Sequence, residues 1–85
     1  MIDPAVRLPA SEAIGAIRRY AQEGVRILGV EGFEVVPDGI VAHIDLILDL
    51  SVIEMNAVEA ASEAEDFVRA TDRPNLIWEI CADVQ

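Results

Sequence analysis

Positive charge is scarce in this 85-residue chain: six Lys plus Arg stand against sixteen Asp plus Glu, for a formal net charge of −10. Such a field repels phosphate backbones and anionic bilayer surfaces, which excludes nucleic acid and the membrane surface as expected partners. Cysteine is scarcer still. Cys81 stands alone, so no disulfide forms within the chain and a reducing cytoplasm is the expected compartment. One Trp, one Tyr and two Phe rule out a broad aromatic platform. No apolar run approaches the ~20 residues of a membrane span. The opening MIDPAVRLP carries an acid and two prolines where a signal peptide requires a basic segment and then an apolar one. Repeats, low-complexity tracts and linkers are missing too, so residues 1–85 are expected to form one domain.

Apolar matter, by contrast, is plentiful: 53% of residues are hydrophobic and the mean hydropathy is +0.35. A chain of this size buries only about 60–65% of its unfolded surface, so part of the surplus is expected to meet a partner. The stretch that organises the rest is Ile40 to Leu50, IVAHIDLILDL. Ile40, Ala42, Ile44, Leu46, Leu48 and Leu50 alternate without a break, the pattern of a strand with one buried side. Val41, His43, Asp45, Ile47 and Asp49 then project from the other side.

Residues 1–9 read as an irregular lead, because Pro4 and Pro9 each remove a donor and bias the preceding residue toward extended geometry. Ala10, Ala13, Ile14, Ile17, Tyr20 and Ala21 recur at helical spacing, predicting a helix over about 11–23 with Ser11 as its cap and Gly24 as its stop. Gly15 within it costs about 1 kcal/mol against Ala, which suggests a close backbone neighbour. The β-branched run from Val25 to Val36 leads into Pro37-Asp38-Gly39, predicting a hairpin over 25–50 with a three-residue loop. Pairing Val36 with Ile40 places Phe33 opposite His43 and Glu31 opposite Asp45. Gly29 and Gly32 are candidate bulge positions, and either a bulge or a two-residue Asp38-Gly39 turn would swap the faces.

Two capping boxes follow, Ser51 to Glu54 and Asn56 to Glu59, and a helix over about 52–70 starts at one of them. Its buried stripe is Ile53, Ala57, Ala60, Ala61, Ala64, Phe67 and Val68, with Glu65 and Arg69 paired outside. Residues 76–84 alternate again, with Leu76, Trp78, Ile80, Ala82 and Val84 inward. The order α-β-β-α-β predicts a small two-layer α+β sandwich, a three-stranded sheet with both helices on one face. The last strand joins either antiparallel beside the first or parallel beside the second.

Chemistry, if present, would sit on the open sheet face. His43, Asp45 and Asp49 are candidate metal donors, and His43 beside a carboxylate is a candidate general base. No second His and no paired Cys completes a ligand set, so no cofactor is expected. Cys81 lies between Glu79 and Asp83, which would raise its pKa rather than activate it, so a buried structural role is expected. The expectation is a non-enzymatic acidic interaction domain that self-associates, a dimer first, through Val41, His43, Asp45, Ile47, Ile77 and Glu79. Glu59, Glu63 and Asp66 line one helix face and could dock a basic partner, as acidic inhibitors of basic toxins do, an analogy of charge alone. The alternative is a small metal-binding or acid/base enzyme around His43 and Asp45.

Overall fold

In the computed structural model, which describes residues 6–83, the chain forms α1 (Ala10–Gln22), β1 (Ile27–Val36), β2 (Gly39–Asp49), α2 (Ala57–Thr71) and β3 (Leu76–Ala82). The strands make one antiparallel sheet in the order β2-β1-β3. The predicted element order and fold class are those observed. Of the two positions open to the last strand, it takes the antiparallel one beside β1, so the central strand of the sheet is β1 and the aliphatic strand β2 lies at an edge. Met1 to Ala5 of the expected lead, and Val84 of the expected third strand, lie outside the described residues.

Both helices cover one side of the sheet. Ala13, Ile14 and Ile17 of α1 and Ala60, Ala61, Ala64 and Val68 of α2 join Val30, Leu46, Leu76, Trp78 and Ile80 in a single core. The alanines let α2 approach closely, and Trp78 fills the gap, fully buried, with its ring edge-on to Phe67 at 6.1 Å and its indole N–H donating to Asp72 Oδ1 at 3.1 Å. A buried indole N–H left unpaired would cost free energy.

The ends of the helices differ from expectation in instructive ways. Pro9 occupies the N-cap of α1 with no side-chain cap, which places Ser11 inside the first turn rather than before it. Gly24 ends the helix with φ 71°, while its N–H donates to the Ala21 carbonyl and Val25 N–H to that of Tyr20, the two bonds of a Schellman closure. A Cβ on Gly15 would meet nothing within 4 Å, so the expected close backbone is not there. Of the two capping boxes, the second starts α2: Asn56 accepts from Glu59 N–H at 2.8 Å and Glu59 returns the bond at 3.0 Å. Ile53 therefore precedes the helix and is exposed instead of joining its buried stripe.

The hairpin register is the main correction. Val36 faces Gly39 across a two-residue Pro37-Asp38 loop, so Phe33 faces Ala42 rather than His43, and Glu31 faces Ile47 rather than Asp45. Between those last two pairings β1 advances by two residues and β2 by five, leaving β2 with surplus chain opposite Gly32. The space above Gly32 is taken by the Trp78 ring and Leu46 Cβ, 3.0 and 3.1 Å from where its Cβ would lie. An odd slip exchanges the faces of a strand. Leu46, Leu48 and Leu50 accordingly pack beneath the helices, whereas Ile40, Ala42 and Ile44, the other half of the same aliphatic row, are exposed.

Candidate functional site: the uncovered sheet face

The six residues expected to share one face are divided by this slip. Ile47 and Glu79 both pair with Glu31, and Ile77 pairs with Phe33, so these three lie on the side the helices leave uncovered. Val41 pairs with Glu34 on the helix side. His43 lies with Glu34 too: its Nε2 is 2.7 Å from Glu34 Oε1. Asp45 falls in the surplus segment and is exposed.

The candidate metal set is dispersed by the same cause, while His43 does have a carboxylate beside it, that of Glu34. Asp49, on the uncovered side, accepts hydrogen bonds from the Ser51 hydroxyl and backbone N–H, which hold its carboxyl below the usual range. Asp49 and His43 thus occupy opposite sides of the sheet. Among the described residues no three His, Cys, Asp or Glu side chains converge as a metal site.

The uncovered side has two zones. Toward the hairpin loop it is apolar, with Phe33, Val35, Ile40, Ala42 and Ile77 on adjacent strands. Toward the other end Glu31, Asp49 and Glu79 surround a depression of about 280 Å³ lined also by Gly29, Ile47 and Cys81. Cys81 is exposed there, contrary to its expected burial, because Gly29 opposite it on β1 has no side chain to cover it. Glu31 and Glu79 face one another directly, a like-charge pairing that weakens a sheet unless a cation intervenes.

Arg7 supplies one cation. Its guanidinium carbon lies 4.4 Å from the Phe33 ring centroid and its Nε 3.4 Å from Glu79 Oε2, an ionic contact that leaves the buried Nε without a hydrogen bond. It is carried there by the lead: Leu8 N–H donates to the Trp78 carbonyl at 2.8 Å and Trp78 N–H to that of Leu8 at 2.7 Å, so Leu8 flanks the outer edge of β3 and turns Arg7 onto the open side.

The acidic helix strip is less free than its spacing suggested. Glu59, Glu63 and Asp66 are all exposed, but Glu59 is held by the capping box. Beside them Glu65 receives Arg18 of α1 through two bonds of 2.9 and 2.8 Å and Arg69 at 3.0 Å, and these guanidinium groups lower its carboxyl pKa to about 2.

Arg7 and Glu34 are the residues that sequence reasoning passed over. Glu34 could have been found from a two-residue loop, since Val36 against Gly39 brings His43 diagonal to it. Arg7 carried no signal, because a single bridge leaves no alternation to read. Compared with known proteins, the chain matches no protein-family model, no curated protein and no solved structure.

Proposed function

We propose that this chain is a non-enzymatic protein-interaction domain that self-associates through the side of its sheet the helices leave uncovered, in a reducing compartment such as the cytoplasm. The observation that carries the reading is exposed aliphatic surface on β1 and β2: Val35 and Ile40 toward the hairpin loop are 45% and 50% exposed, Ile47 toward the other end is 46% exposed, and Ile44 on β2 between them is 90% exposed. Monomers seldom hold such a cluster open to water. Burying ~400 Å² of it per copy would contribute on the order of 10 kcal/mol before the entropy of association and polar desolvation are subtracted. Sedimentation equilibrium from low to high micromolar concentration tests this. Twice the monomer mass of 9.2 kDa is expected, and a strict monomer throughout rejects it.

The acidic zone favours a second role, docking of a basic protein. Arg7 already demonstrates how this face receives a guanidinium, stacked on Phe33 beside Glu79, while Glu31 and Asp49 lie alongside. A partner cation entering beside Arg7, between Glu31 and Asp49, would relieve the remaining repulsion between Glu31 and Glu79. Affinity for such a partner should fall steeply with salt and fall again in Glu31→Gln. Salt-independent binding rejects this role. The metal reading draws no support from His43 and Asp49 lying on opposite sides of the sheet, whereas the acid/base alternative keeps one carboxylate beside His43, that of Glu34 at 2.7 Å.

A further inference from the structure

The turn that joins β2 to α2 displays aliphatic side chains that the core does not use: Val52 is 86% exposed, Val58 67% and Ile53 46%. Exposed aliphatic residues scattered singly are ordinary, but these three fall close together in the chain and the backbone beneath them is fixed. Leu50 anchors the turn, its side chain buried in the core and its N–H donating to the Leu28 carbonyl at 2.8 Å. The Arg26 guanidinium donates to the carbonyls of Leu50 and Ile53 at 2.8 and 2.6 Å. The Asp49 carboxylate receives the Ser51 N–H and hydroxyl, and the capping box of Asn56 and Glu59 closes the far end. A loop already held in one shape loses little entropy when a partner covers it.

Charge decides what covers it. Residues 49–59 carry Asp49, Glu54 and Glu59, all exposed, and no Lys or Arg, while Arg26 beneath them is committed to carbonyl oxygens. Asp49 and Ser51 also line the acidic depression, so the turn borders it. Resting on the reading of the acidic zone as the dock for a basic protein, we propose that Val52, Ile53 and Val58 are the apolar half of that dock, and that the partner is a basic segment in which an arginine or lysine is flanked by large apolar side chains. The cation enters the depression between Glu31 and Asp49 while its apolar neighbours cover the turn. Carboxylates at the rim then speed encounter, and the apolar contact slows release. A second copy of this chain is the poorer occupant, because a two-fold pairing of this corner sets Asp49 and Glu54 against their own counterparts.

Two end-capped peptides of equal charge, Gly-Arg-Leu-Leu-Arg-Gly and Gly-Arg-Ser-Ser-Arg-Gly, test the assignment when titrated at low salt into the wild type, Val52→Ser and Glu31→Gln and followed by amide and methyl NMR shifts. Val52 is exposed enough to change without harming the fold, and serine leaves the charge as it was. The expected result is about tenfold tighter binding of the leucine peptide to the wild type, with shifts at Val52, Ile53 and Val58. That advantage should vanish in Val52→Ser, whereas Glu31→Gln should weaken both peptides alike. Equal affinity of the two peptides for the wild type, with both weakened by Glu31→Gln, overturns the apolar half and leaves the acidic dock standing. A leucine advantage that survives Val52→Ser, with shifts at Phe33 and Ile77 instead, overturns it too. Binding of neither peptide at concentrations up to about 10 mM overturns both the turn and the dock.

Discussion

The ring of Trp78 occupies the space that a side chain on Gly32 would need: a Cβ there would lie 3.0 Å from two of its ring carbons and 3.1 Å from Leu46 Cβ. The irregular pairing of β2 coincides with this point, so one tight contact joins the packing of the core to the facing of the edge strand. Replacing Gly32 by Ala should cost about 1–3 kcal/mol through overpacking, read as a lower urea midpoint. Gly29→Ala should cost at least as much, because the added carbon would sit 2.5 Å from the Leu48 carbonyl oxygen and backbone yields less readily than a side chain.

Gly15 has the opposite character. It lies on the exposed side of α1 with open space around it, so Gly15→Ala should stabilise the fold by roughly 0.5–1 kcal/mol by lowering the entropy of the unfolded chain. A rise in thermal midpoint with unchanged oligomeric state checks this.

Only one of the two capping boxes starts a helix, and mutation can tell them apart. Asn56→Ala removes the acceptor for Glu59 N–H and should cost about 1 kcal/mol. Ser51→Ala, in the turn before α2, should leave helix content by circular dichroism unchanged.

Glu65 makes stability depend on acid. Its carboxyl titrates near 2 in the folded chain against an ordinary value of 4.5, chiefly because Arg18 and then Arg69 donate to it. A folded-state pKa below the unfolded one means that its contribution is complete above pH 4.5 and is lost as the pH falls toward 2. Wild type should therefore lose about 1 kcal/mol more than Glu65→Gln over that interval, a modest figure because water screens the pair. Parallel urea titrations at pH 6 and pH 3 measure the difference.

Arg7 is predicted to hold the lead on the sheet. Arg7→Ala removes the stacking on Phe33 and the ion pair with Glu79, and should cost about 1 kcal/mol. It should also speed exchange of the Leu8 and Trp78 amides. Unchanged exchange at both positions would show that the backbone bridge alone holds the segment.

Much of this architecture was legible in the residues themselves. The helical spacing of Ala13, Ile14 and Ile17, the alanine run of α2 and the alternation from Leu76 to Ile80 are local patterns, and local backbone geometry alone determines which side chains share a side. Element order, fold class, the burial of Trp78 and the helix stop at Gly24 follow from such patterns. The scarcity of positive charge, equally, is settled by composition.

What only the tertiary structure decided is which half of the aliphatic row in β2 the helices cover. Ile40, Ala42 and Ile44 are indistinguishable in pattern from Leu46, Leu48 and Leu50, yet a slip opposite Gly32 exposes the first three and sends His43 to Glu34 instead of to a carboxylate of its own strand. That slip depends on the two-residue loop and on Trp78 and Leu46 filling the space above a glycine. The groups involved lie tens of residues apart in the chain, and a strand's period of two turns any odd displacement between them into an exchange of faces.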